Sequence, residues 1–166
     1  MAVDMFLKLD GIKGEAKDDK HKDEIHIESF SWGLSQTGAH GAGGGGGAGK
    51  VSVHDISITK FLDKASPELM LACCNGKHIP KVTIELCRET GSKTKYMEYK
   101  LEDVIVTSMR PGGSSGGSET LPLEEVSFNY GKISWTYTGT DQKTGKEGGR
   151  KTAWWSTVEN KGGGGG

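Results

Sequence analysis

Residues 44–50 read Gly-Gly-Gly-Gly-Ala-Gly-Lys and match the first seven positions of a phosphate-binding loop, G-x-x-x-x-G-K. In such a loop the backbone amides cradle phosphate oxygens and the lysine reaches toward them. Two requirements of that chemistry are unmet. The next residue is Val51, where a Ser or Thr hydroxyl would hold magnesium, and residues 51–60 read as a strand, where the phosphates need a helix N-terminus. A nucleotide-binding enzyme built on 44–50 therefore stands as a remote alternative.

The other reactive side chains assemble no constellation. The histidines His21, His26, His40, His54 and His78 show no metal-ligand spacing, and only His78 lies near a cysteine, four residues after Cys74. A structural zinc needs four such ligands, so no metal is expected. Cys73, Cys74 and Cys87 are odd in number, two of them adjacent, and write no disulfide framework. They read as small, mostly buried thiols. No G-x-S-x-G elbow occurs, and the pairs Ser31 with His26 and Cys87 with His78 are of the kind any chain offers by chance. Glu124-Glu125 and Asp18-Asp19 read as solvated surface. The expectation is no catalytic residue, no cofactor and no enzyme.

The elements that would position these residues are mainly strands. Period-two alternation of β-branched and aromatic residues recurs over 5–9, 24–34, 51–60, 81–88, 95–108 and 124–138. In several of them the phase shifts. Ile25 and Ile27 give way to Phe30 and Trp32, which predicts a bulge near Glu28-Ser29; similar breaks fall at His54-Asp55, Asp103 and Gly131. Bulged long strands suit a curved sheet or barrel. One short helix is predicted at about Ser66–Asn75, with Ser66 as N-cap, Pro67 at the first helical position and Asn75-Gly76 closing it. The polar stretch 14–23 reads as a solvated loop. Trp154-Trp155 sits in a polar region and would anchor a C-terminal strand by one ring; a monomeric extracellular carbohydrate- or peptide-binding β-domain using those rings is the second alternative.

The fold class is thus mainly β, a curved β-barrel or two-sheet sandwich with bulged long strands and one short helix. A chain of 166 residues makes one such domain, 1–161, interrupted by a glycine-rich arm at 38–50 and a second loop at Pro111, Gly112 and Gly113. Residues 162–166, five glycines, read as a disordered tail. Lys+Arg 21 against Asp+Glu 22, with no long run of one sign, gives no footprint for nucleic acid. Residues 1–10 lack the basic and apolar regions of a secretory signal, and no apolar stretch approaches the roughly 20 residues of a membrane span.

Several separated motifs, in order, carry a family likeness. They are Met5-Phe6-Leu7-Lys8, Lys13-Gly14-Glu15, the strand 24–33 ending Ser31-Trp32-Gly33, the arm 43–51, the stretch 59–67 from Thr59 to Pro67, and Gly76-Lys77-His78. Over nearly the whole chain the sequence resembles the haemolysin-coregulated proteins (Hcp), inner-tube subunits of type VI secretion systems. The resemblance implies a curved β-barrel with one helix, assembled as a hexameric ring that stacks into a tube inside a contractile sheath. It also implies a spike protein at the tip, small effector proteins bound and protected in the lumen, and export from the bacterial cytoplasm without a signal peptide. Neither membrane insertion nor nucleic acid belongs to that picture. By this resemblance the arm, Gly43, Gly44, Gly45, Gly46, Gly47, Ala48, Gly49 and Lys50, becomes a subunit-contact element. Pro111, Gly112 and Gly113 are the second contact candidate. Ser31, with Gly33 beside it, is the candidate for the lumen and for effector contact.

Overall fold

The structure, a computed structural model, describes residues 3–39, 47–48, 50–90, 92–115, 121–140 and 147–165. In chain order its elements are β1 (Val3–Leu9), β2 (Ile25–Ile27), β3 (Ser29–Ser31), β4 (Leu34–Ser35), β5 (Gly38–Ala39), β6 (Gly47–Ala48), β7 (Ser52–Val53), β8 (Ile56–Phe61), α1 (Ser66–Asn75), β9 (Ile79–Thr90), β10 (Ser92–Pro111), β11 (Leu123–Thr140), β12 (Glu147–Ser156) and β13 (Lys161–Gly165). All named strand pairs are antiparallel.

The pairings return on themselves. β1 lies between β2 and β9, β10 lies between β9 and β11, the first half of β11 pairs with β8, and β8 pairs with β3. Only Glu28 separates β2 from β3, and its N–H donates to the Thr59 carbonyl at 2.8 Å. The result is a curved barrel. Its second half of β11 runs on past the wall and carries β12 and β13.

The alternating residues fill this barrel. Leu7, Ile25, Ile27, Ile56, Ile58, Val82, Ile84, Leu101, Val104, Val106, Val126, Phe128 and Ile133 are all buried in one core, and Phe30 and Trp32 pack against it. The break at Glu28 therefore does what the phase shift requires: residues on either side of it reach the same interior. At Asp103 the backbone takes a left-handed φ of 54°, a conformation that Asp tolerates better than most residues, and Leu101 and Val104 both point inward. Gly131 lies opposite it on β11, where a Cβ would be 3.5 Å from the Asp103 Cβ.

Four expectations need correction. Ser66 is the first helical residue rather than the N-cap, which is Ala65 with no side-chain cap. The Ser66 hydroxyl is spent elsewhere, donating to Glu124 Oε2 at 2.8 Å. Glu124, expected in solvent, is only 2 % exposed, and fully buried Lys60 meets it at 2.9 Å. Lys60 Nζ also donates to the Phe61 carbonyl at 2.9 Å and contacts Asp63 Oδ1 at 2.9 Å. This ion pair ties the start of α1 to the barrel wall. Lys60 and Glu124 sit directly opposite each other at inward alternation positions of β8 and β11.

The third correction concerns 14–23, which is not a solvated loop throughout. His21 is 6 % exposed and stacks on Phe6 with ring centroids 4.0 Å apart. Its Nδ1 lies 2.5 Å from Glu24 Oε2 and 3.2 Å from Glu85 Oε2. The loop is drawn in by backbone bonds, Gly14 N–H to the Asp23 carbonyl at 2.7 Å and Ala16 N–H to the Glu24 carbonyl at 2.9 Å. A Cβ at Gly14 would stand 2.5 Å from the Glu24 carbonyl oxygen, so this approach needs glycine. The fourth is the tail: Gly162–Gly165, with Lys161, form β13 on the edge of β12 rather than a disordered end.

Candidate functional site

At the root of the arm the chain is bracketed by polar contacts. Trp32 Nε1–H donates to the Tyr130 hydroxyl at 2.6 Å, which donates to the His54 carbonyl at 2.8 Å, and the His54 N–H closes on the Gly33 carbonyl at 3.0 Å. Burial, against the Trp32 hydrogen bond and with the Asp55 charge, pushes the Tyr130 hydroxyl up to about 12. Beyond the root, β4 pairs with β7 and β5 with β6, and neither two-stranded sheet joins the barrel. The arm is a hairpin at Gly38, Ala39, Gly47 and Ala48. Gly43, Gly44, Gly45, Gly46 and Gly49 lie outside the described residues. Lys50 is exposed, and a strand, β7, follows it. A phosphate loop needs a helix at that point, so the nucleotide reading has no support in the local fold.

Ser31 is exposed at the end of β3 and belongs to a row that the sequence did not announce. Ser31 pairs with Ser57 on β8, Ser57 with Ser127 on β11, and Ser127 with Ser108 on β10. Four serines thus cross four strands in register, on the face opposite the core. Ser57 and Ser127 hydroxyls lie 2.8 Å apart, and in the next row Ser29 and Thr59 hydroxyls lie 2.5 Å apart. Ser31 is exposed, Ser57 and Ser108 are half-buried, and Ser127 is buried at 8 %. The available signal was Ser29-x-Ser31 and Ser57-x-Thr59, polar residues at alternate positions of two short strands. Gly33 is apart from this row: it is half-buried, and a Cβ there would be 2.9 Å from His54 Nδ1.

Pro111, Gly112 and Gly113 are exposed at the end of β10, and the Gly112 N–H donates to the Leu123 carbonyl at 3.2 Å. Around them stand the exposed apolar residues Leu62, Leu121 and Leu123, with Leu123 50 % exposed. This apolar patch is a second feature missed in sequence. It lies where β8 ends, at Phe61 paired with Leu123, whereas the arm joins β8 at its beginning, through β7. The two contact candidates therefore sit at opposite ends of a six-residue strand, about 20 Å apart.

Two other clusters bring chemistry-bearing side chains together. His21, Glu85 and Cys87 bring three possible metal donors within 4.8 Å. However, Nδ1 of His21 faces the glutamates while Nε2 faces Cys87 Sγ at 3.6 Å, so one ion cannot use both sides of the ring. The cluster instead clamps the 14–23 loop. Burial pushes the Glu24 carboxyl up, with His21 opposing and Glu85 adding to the rise. Trp155 packs on the core and Trp154 carries Lys132 Nζ 4.8 Å over its ring, so both indoles are engaged within the chain rather than offered to a sugar.

A family model described as "Type VI secretion system effector, Hcp" matches residues 6–137. The chain is 42 % identical over 161 residues to Protein hcp1 of Pseudomonas aeruginosa, covering 96 % of this chain and 98 % of that protein. It is 30 % identical over 130 residues to the Major exported protein of the same organism, covering 75 % and 74 %. Among solved structures, it superposes on a type six secretion system protein with TM-score 0.91 at 36 % identity, covering 97 % of this chain and 99 % of the other. Hcp1 from Salmonella typhimurium superposes with TM-score 0.79, also at 36 % identity, covering 98 % and 99 %. No helix among the described residues is long and apolar enough to cross a membrane.

Proposed function

The chain belongs to the Hcp family of type VI secretion proteins, and on that premise we propose that it is a structural subunit of the inner tube and not an enzyme. Six copies close into a ring, rings stack, and sheath contraction expels the tube behind its spike protein. The lumen carries and chaperones small effector proteins. Assembly takes place in the bacterial cytoplasm, and the tube leaves for the extracellular space or a target cell without a signal peptide.

The observation that carries this reading is the placement of unsatisfied surface. A stacking subunit must offer different patches at its two ends, because the contact is heterologous. The arm stands at one end of β8, and the apolar patch around Pro111, Gly112 and Gly113 stands at the other. Between them runs the serine row, a surface of small hydroxyls suited to a cargo-facing wall, with Ser31 at its exposed margin.

Native mass measurement and electron microscopy test the ring. A mass of one subunit at all micromolar concentrations overturns the reading. Ser31→Gln tests the wall: it should leave ring mass unchanged and abolish retention of a co-expressed effector. Equal retention by the variant would remove Ser31 from the lumen role. Lys50→Ala should leave nucleotide affinity undetectable, as in the parent chain.

A further inference from the structure

The strand β13 is unusual in what it is made of. Four of its five residues are glycine, all are exposed, and it pairs with β12 from Ser156↔Lys161 to Thr152↔Gly165. Fixing glycine backbone costs more entropy than fixing any other residue, and here no side chain repays it. What holds it is the seat. A Cβ at position 162 would stand 2.6 Å from Cε3 of Trp155 and would also strike the Trp154 carbonyl oxygen. A Cβ at 163 would be 3.0 Å from Trp154 Nε1. The edge of β12 thus excludes a side chain at position 162 and crowds one at 163, where the β13 backbone lies against the two indoles, while position 164 leaves ordinary room and 165 is open.

This chain carries one other run of five glycines, at 43–47, in the arm. We infer that the β12 edge at Trp154 and Trp155 is a glycine-selective strand slot for the arm of a second copy, and that Gly162–Gly165 fill the same slot in cis. The inference rests on the proposed role of the arm as a subunit contact. A strand donated from a neighbour would add backbone hydrogen bonds to a sheet edge, as in β-augmentation, with glycine rather than side-chain pockets providing the selectivity. Occupation in cis keeps that edge from pairing indiscriminately. Over its four glycines the cis strand is held by backbone pairing and the indole seat, and its Lys161 ammonium meets Glu159 at 2.8 Å.

The test uses the full chain carrying Gly162→Val, which cannot lie against Trp155. Hydrogen exchange is followed over Thr152, Ala153, Trp154, Trp155 and Ser156, with native mass recorded at each concentration. At submicromolar concentration, protection of the alternate amides among these that face β13 should fall by roughly tenfold or more relative to the parent, while those bonded to β11 stay protected. It should return when synthetic pentaglycine is added but not pentaserine. It should also return with rising concentration of the variant itself, and adding Gly45→Val should abolish that second recovery.

Unchanged protection in Gly162→Val overturns the slot. So does recovery with pentaserine. Recovery with pentaglycine while fully assembled rings stay unprotected overturns the second copy as occupant. If the parent chain is a monomer at every concentration, the ring reading itself fails, whereas the peptide arms still report on the slot.

Discussion

Replacing Lys60 by Met removes the centre of a buried network, and its cost can be worked from the contacts. Lys60 Nζ bonds Glu124 Oε2 at 2.9 Å, Ser66 Oγ at 3.1 Å and the Phe61 carbonyl at 2.9 Å. Without it, a Glu124 side chain that is 1 % exposed keeps the Ser66 hydroxyl as its partner, and its Oε1 already has none among the described residues. Breaking a buried pair by removing one member costs about 3–5 kcal/mol, because the other charge is stranded. For a domain of this size that corresponds to a fall in Tm of roughly 6–20 °C. Removing both charges, Lys60→Met with Glu124→Leu, should recover most of the loss and end within about 2 kcal/mol of the parent. Urea unfolding followed by tryptophan fluorescence, at concentrations below self-association, measures both. A Lys60→Met cost under about 1 kcal/mol, or a double variant as unstable as the sum of the singles, would refute the reasoning.

Three further outcomes follow from the described contacts. Tyr130→Phe should remove the latest-titrating tyrosine from an alkaline absorbance titration, since the folded value of about 12 lies above the free one. Because the folded pKa is raised, its contribution is full below about 10 and is lost as pH rises through the folded value. For Glu98, burial acts upward, but the Lys95 hydrogen bond and charge, with Lys100, outweigh it and hold the carboxyl below the ordinary range. That contribution is complete above about 4.3 and fades as pH falls through the lower folded value, so Glu98→Gln should flatten the acid limb of a stability–pH curve. Gly14→Ala should cost about 1–3 kcal/mol by denaturant unfolding, because the obstructing atom is backbone, and it should loosen the His21 clamp.

The barrel was legible because its core is built from alternation that changes phase at identifiable residues. Ile25 and Ile27, then Phe30 and Trp32, could be joined through Glu28 from the pattern alone, and the Val104 crossover after Asp103 likewise. What escaped was polarity inside. Lys60 and Glu124 occupy inward positions of β8 and β11, where pattern predicts apolar side chains, and they are acceptable there only because they find each other from distant parts of the chain. His21 escaped for a similar reason: a run of charged neighbours hides the one ring that stacks on Phe6. Of the serine row only the alternating pieces Ser29-x-Ser31 and Ser57-x-Thr59 show in the sequence; their alignment depends on the register of four strands, a property of pairing that no single segment carries. Glycines 162–165 were read by composition, which reports entropy and cannot see the two indoles that accept them.

The order in which the barrel can close has a consequence for how the chain is made. Val3 pairs with Arg88, and Phe61 pairs with Leu123, so the wall is stitched from residues far apart in synthesis. When residues up to Phe61 have emerged, β8 has β3 on one side and nothing yet on the other. Its partner on β11 appears only when residues 123–128 are made, which at about 5–20 residues per second leaves the edge waiting on the order of several seconds. Pairings this distant also slow folding, since the loop must be closed before the contacts reward it. The nascent protein therefore shuts in one late step, and the interval before it, with Ile56 and Ile58 not yet covered, is when the chain depends most on whatever shields it in the cell.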